Sequence, residues 1–256
     1  MARVNPVAAI ADGIFVTEVA LGEYDVRGAL LVGDRFAVVW DTLSHPRDMA
    51  VWRPLIGGRD LVVVYSHADW DHIWGTGGLP LERAVVIGHR ACQARFTDDV
   101  PRILRERQQS EPGVWDDVLL IAPDTVFDKE FRIDLGSMTL ELHHLPGHTP
   151  DTIVGFVPER GLLLMGDTVE TPFPVVPPDS PLAVWIASLE RLERDRGVRT
   201  VVPAHGPIGG AEVLQRNIHY LRALLDGRPE PATGPLSDFY RRTHEQNVRW
   251  TASGPK

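Results

Sequence analysis

Four side chains that can bind metal ions lie within six consecutive positions of the sequence: His67, Asp69, Asp71 and His72. They directly follow residues 61–65, an apolar run rich in valine that predicts a buried strand. In an extended backbone, residues 67, 69 and 71 project to the same side, and a turn at 71–72 would bring His72 to a second point nearby. The spacing therefore predicts that one short loop can serve two metal ions.

Three further candidate ligands follow later in the chain. His148 lies in a loop of Gly and Pro, Asp167 ends an apolar run, and His205 comes shortly after another. Rigid scaffolds commonly mount functional groups at such strand ends. Because Cys92 is the only cysteine, the chain can form neither an internal disulfide nor a multi-cysteine zinc site. Any bound metal must therefore be held by histidine and carboxylate side chains.

Composition and charge bound the class of protein. The chain has 256 residues, of which 43% are hydrophobic and 24% charged, as in globular proteins. One domain of about 250 residues is ordinary for large sandwich and α/β folds, so we expect a single domain over residues 1–246 and a flexible tail over 247–256.

Charge and hydropathy also restrict the partners. A formal net charge of −9 without a basic stripe argues against nucleic acid. No window approaches the roughly 18 apolar residues of a membrane span, and the first residues do not form a signal-peptide core. We therefore expect a cytoplasmic protein that acts on a small molecule, without membrane or nucleic acid, and a homodimer is compatible with these features.

The elements that must position the candidate ligands alternate along the chain. Strands are predicted at residues 14–19, 29–32, 36–40, 61–65, 85–87, 125–127, 131–135, 138–142, 152–156, 162–165 and 201–202. Helices are predicted at residues 46–56, 90–109, 182–194, 211–225 and 236–246. This order fits two packed sheets with helices outside. We expect the many charges of residues 90–109 to form a solvated face.

In combination, these motifs resemble the metallo-β-lactamase superfamily, whose pattern runs H-x-H-x-D-H and continues with a His, an Asp and a final His. The spacing is 76 positions from His72 to His148, 19 from His148 to Asp167 and 38 from Asp167 to His205. These intervals are similar to those of the family. The resemblance implies an α/β (α+β) fold, a four-layer αββα sandwich of two packed mixed β-sheets with helices on both outer faces.

The resemblance also implies a ligand set for two divalent metal ions, or for one. His67, residue 69 and His148 would hold the first metal. The second metal would be held by Asp71, His72 and His205. Asp167 would bridge the two metals.

Position 69 departs from the common pattern because it is Asp and not His. The carboxylate adds a negative charge and a harder ligand, which shifts the preference from zinc toward iron or manganese. Asp69 is also shorter than His, so the first metal would lie closer to the loop, be bridged through water or be weakly held. An enzyme with one metal in the second site is an alternative. The flavodiiron branch of the superfamily also has an acid here, although it is Glu.

Other polar residues near the motifs have two interpretations. Asp41 ends an early strand, where it either orients a ligand histidine through a hydrogen bond or simply terminates the strand. We expect structural or surface roles for His143 and His144, although one of them could face the pocket. Surface or satisfied, partly buried positions are expected for His45, His89, His219 and His244.

The chemistry that such a centre would perform is hydrolysis. Two divalent ions a few Å apart can bridge a water and lower its pKa from near 16 toward about 7. Asp71 is the candidate catalytic residue, since a carboxylate beside the nucleophile can accept and return its proton. We therefore predict a metal-dependent hydrolase that cleaves an ester-like bond: a lactone, a thioester or a phosphodiester. The family's zinc β-lactamases generally have Cys where this chain has Asp167, which disfavours β-lactams.

Two alternatives remain at this point. An iron-dependent oxidoreductase related to the flavodiiron branch is motivated by Asp69, although it would need electrons from a partner. A non-catalytic metal-binding scaffold is the other. The cofactor is accordingly one or two ions of zinc, iron or manganese.

Overall fold

The chain folds into two β-sheets that pack against each other. A computed structural model describes residues 4–195, 197–231 and 234–253. The first sheet contains, in spatial order, β1 (Ala8–Ala11), β2 (Ile14–Ala20), β3 (Asp25–Val32), β4 (Ala37–Trp40), β5 (Leu61–Val64), β6 (Ala84–His89) and β7 (Thr125–Phe127). It is antiparallel from β1 to β4 and parallel from β4 to β7.

The second sheet is also mixed. Its strands are β8 (Glu130–Asp134), β9 (Thr139–His144), β10 (Ile153–Val157), β11 (Leu162–Gly166) and β12 (Thr200–Pro203). They lie in the spatial order β12-β11-β10-β9-β8, with β11 and β12 parallel and the other pairs antiparallel.

The helices cover the outer faces of the sheets. They are α1 (Arg53–Ile56), α2 (Trp70–Ile73), α3 (Arg90–Arg95), α4 (Asp99–Ser110), α5 (Leu182–Asp195), α6 (Ala211–Leu225) and α7 (Asp238–Ser253). Among the described residues, no helix combines the length and apolar character that crossing a bilayer requires.

Three apolar layers hold these elements together. Strand β3 illustrates the cause, because its side chains alternate between two buried faces. Leu30 packs in the layer beneath the first helices, whereas Leu31 packs between the two sheets together with Trp40 and Ile153. A third layer joins the second sheet to α5 and α6. The predicted four-layer αββα sandwich is confirmed.

Several predicted boundaries differ from the structure. Strand β1 was not predicted, residues 46–56 form a 3-10 turn followed by the short α1, and the region 90–109 is two helices. Residues 247–253, predicted as part of a flexible tail, continue α7, and residues 254–256 lie outside the described residues. Asn247 is fully buried there and binds the backbone of Pro174 and Val176. Some of the buried residues of this helix are polar, so its inner face shows little hydrophobic periodicity.

Candidate metal centre

The candidate ligands meet where strands of both sheets end. His67 follows β5, Asp167 follows β11, His205 follows β12, and His148 lies in the loop between β9 and β10. Strands β11 and β12 are parallel neighbours, so the residues that follow them lie side by side. The packing of the two sheets brings the β5 end to the same place.

The start of a helical turn divides the four residues of the first motif into two pairs. Asp69 has an extended backbone (φ −74°, ψ 149°), and α2 begins at the next residue. His67 and Asp69 therefore lie in the extended segment, whereas Asp71 and His72 lie on the helical turn. The predicted turn at 71–72 begins one residue earlier, at Trp70. Asp71 therefore lies with His72 and not, as predicted, on the same side as His67 and Asp69. The loop still directs side chains to two neighbouring points, as two pairs instead of three residues and one.

The side chains form two groups that share one aspartate. Ligand atoms of each of the following sets lie within 4.8 Å of one another: His67, Asp69 and His148; Asp71, His72 and His205; His67, His72 and Asp167; and His148, Asp167 and Glu170. Asp167 Oδ1 lies 3.2 Å from Nε2 of both His72 and His205. Its Oδ2 lies 3.7 Å from His67 Nε2 and 3.6 Å from His148 Nε2. Each oxygen of Asp167 thus faces one group.

Unsatisfied polar atoms show that a cation fits this arrangement. Within the described residues, His67 Nε2, His72 Nε2 and Asp167 Oδ1 are buried and make no hydrogen bond. Leaving a buried polar atom without a partner costs about 1–3 kcal/mol. Three such atoms point toward a common space, and nitrogen and carboxylate oxygen are suitable ligands for divalent transition metals.

Hydrogen bonds on the far side of each imidazole direct Nε2 into the site. His67 Nδ1 lies 2.9 Å from Ser66 Oγ, and His72 Nδ1 lies 2.9 Å from Asp41 Oδ2. His148 Nδ1 lies 3.1 Å from the carbonyl oxygen of Val175, and His205 Nδ1 lies 2.5 Å from that of Asp25. Such bonds select the tautomer that leaves Nε2 free for a metal. Asp41 therefore orients a candidate ligand, one of the two interpretations of its position.

The carboxylates strongly favour positive charge in the centre. Burial alone would lower the pKa of His148, but its hydrogen bond to Asp69 and the charge of Asp167 raise it to about 9. The pKa of His205 is raised to about 10, also against burial, mainly by Asp167. Burial would raise the pKa of Asp69, but His67 and His148 hold it well below its usual range. Protons and metal cations therefore compete for the same buried histidines.

A cavity of about 150 Å³ opens onto the centre. Its walls comprise Tyr24, Asp69, Trp70, Asp71, His148, Asp167, Glu170, Val175, His205 and Phe239. The Tyr24 ring stacks on Phe239 at 4.5 Å and meets the His205 ring edge-on at 5.3 Å. Glu170 is fully buried, and burial raises its pKa to about 7.

Sequence reasoning missed Tyr24, Glu170 and Phe239 as residues of the cavity wall. Glu170, three positions after Asp167, could have been found as an acid close to a candidate ligand. Tyr24 and Phe239 belong to no local motif, since a turn and the last helix bring them to the site.

The remaining histidines lie outside the cavity. His144 stacks on His89 at 3.8 Å, and its Nε2 contacts the Pro150 carbonyl. His45 contacts the Val114 carbonyl, while His219 and His244 contact Glu230 and Tyr220, respectively. His143 lies on β9.

The family follows from comparison with known proteins. The family model of the metallo-beta-lactamase superfamily matches residues 25–211, and the chain belongs to this superfamily. An acyl-coenzyme A thioesterase from Bos taurus is 30% identical over 184 residues, which are 66% of this chain and 62% of that protein. A linear primary-alkylsulfatase from a Pseudomonas species is 27% identical over 143 residues, 52% of this chain and 24% of that protein. The chain thus spans less than two thirds of these relatives.

Solved structures show the same fold. A metallo-beta-lactamase from Pontibacter korlensis superposes with a TM-score of 0.67 at 20% identity and covers 86% of this chain and 99% of that one. The FIM-1 metallo-beta-lactamase from Pseudomonas aeruginosa, in a mono-zinc form, gives 0.65 at 21% identity, with 85% and 96% covered. At this identity the likeness establishes the fold alone.

Proposed function

We propose that the chain is a metal-dependent hydrolase that cleaves an ester-like bond of a small molecule. The observation that carries the proposal is the pair of ligand groups on either side of Asp167, with buried imidazole and carboxylate atoms that lack other partners. Hydrolytic names among the relatives, including a thioesterase and an alkylsulfatase, support the same class of reaction.

We propose the ligand roles in two groups. His67, Asp69 and His148 would hold the first divalent ion, and Asp71, His72 and His205 would hold the second. Asp167, which faces both groups, would be shared between them. When bound, such ions supply an activated water and polarise the electrophile.

Asp71 is the residue we propose to manage the proton. It lies at the cavity wall, with Oδ1 3.8 Å from His72 Nε2 and Oδ2 3.8 Å from His205 Nε2. A carboxylate in this position can accept the proton of the attacking water and return it to the leaving group. Positioned general acid–base groups contribute roughly 10²–10⁴-fold to rate.

The cavity wall favours an uncharged acyl group over a phosphodiester. Among the described residues, none of those that line the cavity is a lysine or an arginine. Phosphate recognition in proteins commonly uses such side chains. Instead, Tyr24, Trp70 and Phe239 offer aromatic surface beside the acids. We therefore propose a lactone or a thioester with a small apolar acyl group as the substrate.

A substrate panel with a matched variant tests this function. The metal-loaded protein is assayed with a lactone, an acyl thioester, a phosphodiester, an alkyl sulfate and a β-lactam. We expect turnover of the lactone or the thioester, and a loss of roughly 10²-fold or more in Asp71→Asn. Asp116→Asn removes an exposed carboxylate as the control. No turnover of any substrate would refute the hydrolase, and preferred turnover of the phosphodiester would refute the proposed substrate.

An iron-dependent redox function is the second candidate, because residue 69 is a carboxylate. Asp69 Oδ2 faces His67 and His148, so the first ligand group includes a hard oxygen ligand that suits iron. Elemental analysis of protein purified without chelator or added metal separates the two functions. Two irons per chain favour the oxidoreductase, zinc or manganese favours the hydrolase, and strongly substoichiometric metal favours a non-catalytic scaffold.

A further inference from the structure

Arg95 lies beside the unusual ligand position, although its segment was expected to form a solvated face. It is the last residue of α3, and its side chain is only 19% exposed. Its Nη2 lies 2.8 Å from Asp69 Oδ1 and 2.7 Å from Asp99 Oδ2, and its Nη1 lies 3.2 Å from Asp151 Oδ1. The guanidinium is therefore held by three carboxylates.

The two oxygens of Asp69 face opposite partners. Oδ1 contacts Arg95, whereas Oδ2 lies 3.3 Å from His148 Nε2 and 3.6 Å from His67 Nε2. One oxygen thus faces the first ligand group and the other is engaged outside it. A carboxylate fixed in this way can offer a metal a single oxygen.

We infer that Arg95 is the positioning residue that allows an aspartate to serve as a one-oxygen ligand at position 69. This inference rests on the proposed metal centre. Arg95 keeps Oδ1 engaged outside the first ligand group, so that only Oδ2 faces His67 and His148.

A buried aspartate fixes Arg95 to the ligand segment itself. Asp151 is fully buried, and its Oδ2 accepts a 2.8 Å hydrogen bond from the backbone N–H of Ala68, between the first two ligand positions. Its Oδ1 binds Arg95. Because a guanidinium presents several donors in a fixed planar fork, these contacts determine its orientation as well as its place. A lysine would supply the charge without the fork.

A cycle of substitutions separates positioning of Asp69 from a general structural role. Arg95→Gln and Arg95→Lys are made both in the wild-type chain and in Asp69→His, where no carboxylate remains to be positioned. Arg90→Gln is the control, since Arg90 lies on the same helix and is paired with Asp128 at the surface. Zinc affinity of each site is measured by chelator competition, the first site is monitored by the cobalt(II) absorption spectrum, and thermal unfolding reports on folding.

We expect Arg95→Gln to weaken the first zinc site by roughly 10–100-fold and to change its cobalt spectrum, as supporting residues of metal ligands do. Arg95→Lys should fall between Arg95→Gln and wild type. In the Asp69→His chain, both Arg95 substitutions should leave the zinc affinity within about threefold of that of Asp69→His alone. Arg90→Gln should leave the zinc affinity within about threefold of the parent chain, with either Asp or His at position 69.

Three outcomes would overturn the inference. An equal loss of affinity with Asp69 and with His at position 69 would assign Arg95 a structural role only. Unchanged affinity in both Arg95 variants would remove its role in metal binding. A wild-type chain that binds no metal would overturn both this inference and the proposed function, whereas metal binding without ester hydrolysis would refute the function alone. If Arg95→Gln does not fold, the comparison of Arg95→Lys in the two chains decides the question.

Discussion

Asp41→Asn is the substitution for which the structure makes the most specific prediction. Asp41 is fully buried directly after β4, and its carboxylate contacts the candidate ligand His72 and also Ser66, whose hydroxyl contacts the candidate ligand His67. Oδ1 accepts the backbone N–H of Ser66 at 2.7 Å. Oδ2 accepts the Ser66 hydroxyl at 2.8 Å and faces His72 Nδ1 at 2.9 Å. Both oxygens therefore act as acceptors.

An amide cannot replace both acceptors. If the NH₂ group takes the Oδ1 position, it faces the Ser66 backbone N–H, a donor that cannot change. If it takes the Oδ2 position, His72 must accept at Nδ1, which transfers the ring proton to Nε2. Nε2 is the atom that faces Asp167 and the second ligand group. The lower-cost orientation thus blocks a metal ligand.

The expected magnitude is a 10–100-fold loss of affinity at the second metal site, typical for residues that orient metal ligands. This loss corresponds to about 1.4–2.7 kcal/mol of binding free energy. The substitution should not add backbone strain. Asp41 has a φ of 56°, and Asn tolerates this left-handed region as Asp does. Competition with a chromophoric chelator measures the affinity.

Asp48→Asn is the matched control for this experiment. Asp48 is buried, its nearest side-chain hydrogen bond is to Ser44, and it does not belong to any of the ligand groups. Because Asp48 belongs to none of the ligand groups, neutralising it should not weaken metal binding. Equal metal affinity in wild type and Asp41→Asn, or an equal loss in both variants, would refute the reasoning.

Three other predictions test the centre and its support. Asp69→His should raise zinc occupancy relative to iron and manganese because it restores a softer ligand, and unchanged metal content would show that position 69 does not coordinate. In the metal-free protein, the pKa values of His148 and His205 are about 9 and 10, above the ordinary value of about 6.5, so stability should fall as pH rises from 6.5 toward 10. A shift from 6.5 to 9 corresponds to about 3 kcal/mol. Metal-loaded protein should lose less over this range in thermal unfolding, and a flat metal-free profile would contradict the assignment. Gly147→Ala should destabilise the fold by about 1–3 kcal/mol, because the added Cβ would lie 2.3 Å from a tryptophan ring of α5. Gly58→Ala, where the Cβ meets nothing within 4 Å, should be near neutral in the same denaturation assay.

Most of the strands could be predicted because each carries its own local pattern. Leu61–Val64 is a valine-rich run, and α5 and α6 repeat apolar residues at helical spacing. The inner face of α7 instead includes Thr243 and Asn247, which are buried although polar. Asn247 is satisfied by hydrogen bonds to Pro174, Val176 and Tyr220. Because buried polar residues take part in the packing of α7, hydrophobic periodicity underestimates the length of this helix.

The sequence by itself determined which residues could bind metal and in what order, since the motif around His67 and the later strand ends are local patterns. Only the tertiary structure decided their partners. His205 Nδ1 contacts the carbonyl of Asp25, 180 positions away, and Arg95 contacts Asp69 and Asp151 from another helix. Backbone periodicity and ligand spacing act over a few residues, whereas these contacts exist only once two sheets have packed and brought distant chain segments to one edge.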